Sequence, residues 1–123
     1  MRIPVEPTAD RDLAHLSPKL SAKVIYILER LRAEGYHPLV LETRRSPGRQ
    51  AWLRKWRPGS TRVVHSRHQD GEACDIGFMK SGKVTFSRLF PGYARLGKLA
   101  KDHELAWGGR WRWFKDIYHV ELP

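Results

Sequence analysis

The chain of 123 residues carries 23 Lys and Arg against 13 Asp and Glu, a net charge of +10, and is 41% hydrophobic with five Trp. That length admits one domain, residues 1–123, with a real core and no room for a separate binding domain. No apolar run is long enough to span a bilayer, and the lone Cys74 excludes an internal disulfide or a thiolate-rich zinc knuckle.

The first residues, Met1-Arg2-Ile3-Pro4-Val5-Glu6-Pro7, lack the apolar centre of a secretory signal, so synthesis in the cytoplasm is expected. Ser17-Pro18 predicts a helix start, with Ser as cap and Pro at the first helical position. Leu20, Val24, Ile27, Leu28 and Leu31 recur at helical spacing and read as core, and Gly35 supplies the stop. Leu39-Val40-Leu41, within His37 to Thr43, predicts a strand. Ser46-Pro47 repeats the helix-start signal for a second helix to about Trp56. Pro58-Gly59-Ser60 marks a turn, and Thr61 to His65 reads as a loop or an edge strand. Ala73 to Met79 predicts a strand in which alternation turns Cys74 into the core and away from the face of Asp75. Lys80-Ser81-Gly82-Lys83 reads as a turn, Pro91 to His103 as a third helix with Tyr93, Leu96, Leu99 and Ala100 inward, and Leu105 to Trp107 and Tyr118 to Leu122 as the last strands. The expected class is α+β, helices packed on a small, mainly antiparallel sheet.

His68, Asp75 and His119 are candidate metal ligands, and three protein ligands are what a catalytic zinc takes, its remaining position being left to water or substrate. Gly71 between His68 and Asp75 allows a tight bend to bring the two together. Asp116, three residues before His119, is placed to act as general base. Glu121, two residues beyond His119 on the same strand face, is a candidate to hold a ligand or a neighbouring Arg. His65 with His68 and either His103 or Cys74 is a competing ligand set, but it leaves Asp75 and Asp116 without a role. His15 and His37 read as ordinary surface residues. Trp107, Trp111 and Trp113 read as cleft walls or as core.

Three stretches of the chain match a known pattern in the right order. Ser66, His68, Gly71, Ala73, Asp75 and Ile76 fit Ser-x-His-x-x-Gly-x-Ala-x-Asp-Ile. Trp107, Gly108, Gly109 and Trp111, then Asp116, His119 and Glu121, fit Trp-Gly-Gly-x-Trp and Asp-x-x-His-x-Glu. Arg45, Ser46, Arg49 and Gln50 fit Arg-Ser-x-x-Arg-Gln. The chain thereby resembles the zinc peptidases related to D-Ala-D-Ala carboxypeptidases, and within them the L-alanyl-D-glutamate endopeptidases of phage endolysins and bacterial wall turnover. Many relatives have Pro before the last His and Phe after it, where this chain has Tyr118 and Val120. The resemblance implies one zinc per chain on His68, Asp75 and His119, with Asp116 as base. It implies Arg45, the Arg immediately before Ser, as the group that polarises the scissile carbonyl, rather than Arg44. Ser66, Gln50, Glu121 and Trp107 are then substrate contacts or supports for the ligands. Aspartate rather than glutamate at the base position implies the endopeptidase branch.

The expected function is hydrolysis of the peptidoglycan stem peptide at the L-Ala-D-Glu bond, an endolysin-type bacteriolytic activity. A D,D-carboxypeptidase removing terminal D-Ala is the alternative. A basic nucleic-acid-binding protein is a third reading, suggested by the charge and by Trp and Arg interleaved from Trp107 to Trp113. The expected partners are stem peptides and an anionic envelope surface held by the positive charge, with no obligate protein partner and a monomeric state. Acting on the wall then requires release from the cytoplasm, through a holin if the gene is a phage's.

Overall fold

The structure, a computed structural model, describes residues 2–59, 61, 63–112 and 115–123. The Ser17 hydroxyl accepts a hydrogen bond from the Leu20 N–H and opens helix α1, Pro18–Ala33, whose buried stripe is Leu20, Val24, Ile27, Leu28 and Leu31. Gly35 follows with φ +92°, a left-handed conformation that suits glycine. Strand β1 is Pro38–Glu42. Ser46 then caps helix α2, Pro47–Trp56, through the Arg49 N–H. Strand β2 is Ala73–Lys80. Ser81 and Gly82 both take positive φ and reverse the chain into strand β3, Lys83–Thr85. Sequence reading ended at the turn and missed this strand, which is too short to show alternation. Helix α3, Pro91–Asp102, and strands β4, Ala106–Trp107, and β5, His119–Glu121, complete the order. Three short 3-10 turns, Leu13–His15, Arg67–Asp70 and Gly108–Arg110, were not foreseen. The described residues between 61 and 65 form a loop, not a strand, while Ser60 and Arg62 lie outside the described residues.

Among the described residues every strand pairing is antiparallel, in the order β1-β2-β5-β4 with β3 also on β2. Asp75 pairs with both Glu42 and His119, and Phe78 with both Pro38 and Thr85, so β5 and β3 share the β2 edge opposite β1. Alternation divides β2 between its two faces. Cys74, Ile76 and Phe78, with Val120 of β5, pack into one core with the inward faces of α1 and α3. Asp75 and His119 fall on the other face. The Cys74 thiol is fully buried, and burial pushes its pKa up, as expected of a small core residue. Val120 is fully buried and Tyr118 sets its ring edge-on to Phe86 and Tyr93, so the two departures from the family pattern are absorbed by packing.

Trp107 connects this core to the segment before β5. Its ring lies against Gly97 of α3 and against Gly109, where no Cβ has room, and its Nε1 donates to the Ile117 carbonyl at 2.8 Å. Gly108 likewise has no room for a Cβ because the Asp116 carbonyl crosses it. These glycines let the 115–118 segment approach closely. Gly97→Ala is expected to destabilise the fold by about 1–3 kcal/mol, the usual cost of overpacking. Urea unfolding would show this as a lower midpoint with an unchanged slope; wild-type stability would contradict the packing role.

Candidate active site

His68 sits in the Arg67–Asp70 turn, which a reciprocal cap fixes: Ser66 Oγ accepts from the His68 N–H at 3.2 Å, and Gln69 Oε1 accepts from the Ser66 N–H at 2.9 Å. Gly71 closes the turn with φ +70° and delivers the chain to β2. The buried His68 ring donates from Nδ1 to the Thr43 carbonyl at 2.7 Å, which turns Nε2 toward Asp75. His119 is opposite Asp75 in the β2–β5 ladder, and its Nδ1 lies 3.1 Å from Asp75 Oδ1. His119 Nε2 donates in the other direction to Glu121 Oε1 at 2.7 Å. Each histidine therefore has one nitrogen tied to an oxygen acceptor and the other aimed at the same carboxylate. Such outer bonds fix ring orientation in metal-binding histidines.

The donor set fits a zinc ion. One ligand atom each from His68, Asp75 and His119 lies within 4.8 Å of the others, a borderline-soft metal's mixture of imidazole nitrogen and carboxylate oxygen. His68 Nε2 is buried without a hydrogen-bond partner, 3.3 Å from Asp75 Oδ1, and such a group is costly unless something binds it. In the absence of a cation, burial opposes charge on His119, yet hydrogen bonds to Asp75 and Glu121 hold its pKa up at about 10. Burial would raise the Asp75 pKa, but His68 and His119 hold it well below the usual carboxylate range. The pair of histidines thus stabilises the Asp75 anion, with Arg45 Nη2 as a further cation 3.8 Å from its Oδ2.

Asp116 lines the same cleft as the three candidate ligands. Burial first, and then the charge of Asp75, push its pKa up to about 6. Its carboxylate accepts from the Tyr118 N–H at 3.3 Å and is within electrostatic reach of His68 and His119. Arg45 is buried at the cleft wall, its Nη2 2.7 Å from Glu42 Oε1 and 3.8 Å from Asp75 Oδ2, with Nη1 donating to Gln50 Oε1 at 3.0 Å. Arg44 is exposed and absent from the cleft lining. Gln50 also donates to Thr61 Oγ1 and to the Val63 carbonyl, so it braces Arg45 against these two residues. Ser66 acts on the His68 turn, and Trp107 lies behind the cleft rather than in its wall. Trp111 does line the cleft, its ring centroid 5.0 Å from that of His119. Trp113 lies outside the described residues.

The competing ligand set does not assemble. His65 pairs with Asp70 at the surface, His103 lies with its ring tilted against Tyr26 at the end of α3, and Cys74 is in the core. Two contributions escaped sequence reading. Glu42 is buried at the end of β1, where it accepts from Arg45 and also from Arg49 Nε at 2.6 Å. The segment from Glu6 to Ala9 forms a wall of the cleft, whose volume is about 1240 Å³. It is fastened by Arg49 Nη1 to the Pro7 carbonyl, Trp52 Nε1 to the Pro4 carbonyl and the Thr43 N–H to the Asp10 carbonyl. The available sequence signal for Glu42 is a glutamate closing an apolar strand three and seven residues before Arg45 and Arg49 of the motif.

A family model described as D-alanyl-D-alanine carboxypeptidase matches residues 58–122. Among solved structures, the Serratia marcescens L-Ala D-Glu endopeptidase ChiX is similar at a TM-score of 0.74 and 27% identity, covering 97% of this chain and 89% of that one. The vancomycin resistance D,D-pentapeptidase VanY, solved with Zn(II), is similar at a TM-score of 0.63 and 14% identity over 87% of this chain and 72% of its own. The LD-carboxypeptidase LdcB has a TM-score of 0.65 at 16% identity, covering 98% of this chain and 66% of that one. The last two likenesses show a shared fold. A comparison with curated proteins gives no match.

Glu42→Gln would leave Arg45 and Arg49 against a neutral amide, and is expected to cost about 3 kcal/mol or more at neutral pH, the scale of breaking a buried pair. Burial alone would raise the Glu42 pKa, but hydrogen bonds from Arg45 and Arg49 hold it below the ordinary 4.5. A depressed folded-state pKa contributes stability above the unfolded value and loses it as pH falls through the folded one. The stability gap between wild type and E42Q, read from urea titrations, should therefore narrow as pH drops below 4.5; a constant gap would contradict the charge-based account.

Proposed function

This chain belongs to the D-alanyl-D-alanine carboxypeptidase family, and from that premise we propose that it is a zinc-dependent peptidoglycan peptidase cutting the stem peptide between L-Ala and D-Glu. The observation that carries the proposal is the convergence of His68 Nε2, Asp75 and His119 Nδ1, with Asp116 at the same cleft. Bound by these residues, zinc would supply a Lewis acid that polarises the scissile carbonyl and activates water.

The chain's own groups account for the remaining requirements of hydrolysis. Asp116 takes a proton from the attacking water as its oxygen bonds to the carbonyl carbon, and returns it to the nitrogen as the C–N bond breaks, leaving a carboxylic acid and an amine. Its raised basicity follows from burial beside Asp75. Arg45 faces the developing charge on the carbonyl oxygen with a guanidinium whose orientation Glu42 and Gln50 fix, and Gln50 and Glu42 engage two of its five N–H donors. The walls from Glu6 to Ala9 and at Trp111 give an extended peptide a groove to lie in.

The choice of bond is supported by the likeness to ChiX, an L-Ala D-Glu endopeptidase, and by aspartate at the base position. The family model's own description favours the second reading, removal of terminal D-Ala. Digestion of purified peptidoglycan followed by mass spectrometry separates them: new N-terminal D-Glu supports the endopeptidase, whereas free D-Ala would overturn it in favour of the carboxypeptidase. The third reading loses one of its supports, because Trp107 is packed inward and offers no face for base stacking.

Chelation should abolish activity and added zinc restore it, with one zinc per chain by elemental analysis. Stoichiometric zinc in the double variant His68→Ala, His119→Ala would refute the ligand assignment. Asp116→Ala should keep its zinc and lose on the order of a hundredfold or more in kcat, the usual scale for a positioned acid or base. Near-normal turnover by the folded variant would remove Asp116 from the mechanism.

A further inference from the structure

Arg67 occupies a variable position of the His68 motif, yet its guanidinium reaches across to the other ligand-bearing segment. Its Nε lies 2.9 Å from Glu121 Oε2, while Glu121 Oε1 accepts from His119 Nε2 at 2.7 Å. The same guanidinium is anchored by Nη1 to the Leu122 carbonyl at 3.0 Å and to Glu72 Oε2 at 3.1 Å. A carboxylate held through one oxygen swings about its Cγ–Cδ bond; held through both, it presents a fixed acceptor. We infer that Arg67 is a positioning residue for His119, acting through Glu121, and that the Arg67–Glu121 pair clips the turn bearing His68 to the strand bearing His119.

The inference rests on the zinc reading of the preceding subsection. Its energetic logic separates metal affinity from fold stability. Arg67 is 44% exposed at its side chain, and ion pairs of that kind contribute little to folding. The orientation of a ligand ring is more sensitive, since residues that hold ligating histidines typically change metal affinity by about 10–100-fold when replaced. Glu121 without Arg67 is left with its Oε2 free of this cation, and the His119 ring it steers loses a defined direction. Because Arg67 and His68 are adjacent in one 3-10 turn, loss of the clip also frees the distance between the two histidine-bearing segments.

The test is zinc affinity by competition with a chromophoric chelator, measured on the full chain for wild type, R67Q, E121Q, the double variant R67Q/E121Q, and E72Q. R67Q should weaken zinc binding about tenfold. In the E121Q background the carboxylate is gone, so adding R67Q should change affinity by less than about twofold, the coupling expected of residues acting as one unit. E72Q should match wild type. Equal losses from R67Q in both backgrounds would show that Arg67 acts through Leu122 or Glu72 and would overturn the inference, as would wild-type affinity in R67Q. Should R67Q not fold, R67K is compared in the same two backgrounds: a loss confined to the chain with Glu121 supports the clip, and an equal loss or none overturns it. A wild-type chain that takes up no zinc overturns the zinc reading and the clip with it, whereas zinc uptake with additive losses refutes the clip alone.

Discussion

The register that sets Asp75 opposite His119 in the β2–β5 pair is the constraint on which the site depends. A slip of one residue would exchange the two faces of the strand, placing Cys74 against the histidine and Asp75 in the core. What prevents the slip is burial on the far side of the sheet. Cys74, Ile76, Phe78 and Val120 are all fully buried against α1 and α3, so a shifted pairing would drive charge into that layer. Hydrophobic packing thus specifies the geometry of a polar site that it never touches. The second histidine joins through a separate device, since His68 is set by its capped turn and by the Thr43 carbonyl rather than by a ladder.

A chain of net charge +10 gathers Glu42, Asp75, Asp116 and Glu121 around one cleft, and its cations are distributed unequally among them. Glu42 has Arg45 and Arg49, Glu121 has Arg67, and Asp75 has two histidines. Asp116 has the Tyr118 N–H and the repulsion of Asp75. The acids with fixed cations serve as struts. The acid without one is left basic enough to accept a proton, which is the property a hydrolytic base needs.

Local chemistry made much of this legible in the sequence. Ser17-Pro18 and Ser46-Pro47 announce helix starts that tertiary context does not override, and the spacing of Leu20 through Leu31 identifies the core face of α1. The candidate ligands were legible for another reason, in that His68, Gly71, Asp75 and His119 fall on the pattern of a known family, and the fold brings the two histidines and Asp75 together. What stayed hidden depends on contacts between segments far apart in the chain. Glu42 closes an apolar strand, and its burial depends on α2 bringing Arg49 over it. Sequence leaves Trp107 between cleft wall and core because the slot that holds it is made by Gly97 and Gly109, and a missing Cβ has no sequence signature beyond glycine itself. The wall from Glu6 to Ala9 has no periodicity at all, being held by side chains of α2 rather than by its own pattern.

That wall and the proposed oxyanion group depend on one buried carboxylate. Glu42 Oε1 binds Arg45, Glu42 Oε2 binds Arg49, and Arg49 extends from there to the Pro7 carbonyl. Pro4 and Pro7 lack an N–H, so a segment carrying them has carbonyls to offer and fewer donors of its own to satisfy. Arginine and indole donors are what such a strap requires, and Arg49 and Trp52 on successive turns of α2 provide them. Position of the cleft wall and orientation of Arg45 are therefore coupled through Glu42, which borders the bulge in the β1–β2 register and pairs with Asp75. A disturbance of the groove's wall has a direct mechanical route toward the candidate site through Arg49 and Glu42, and a second through Thr43, which binds the Asp10 carbonyl on one side and His68 Nδ1 on the other.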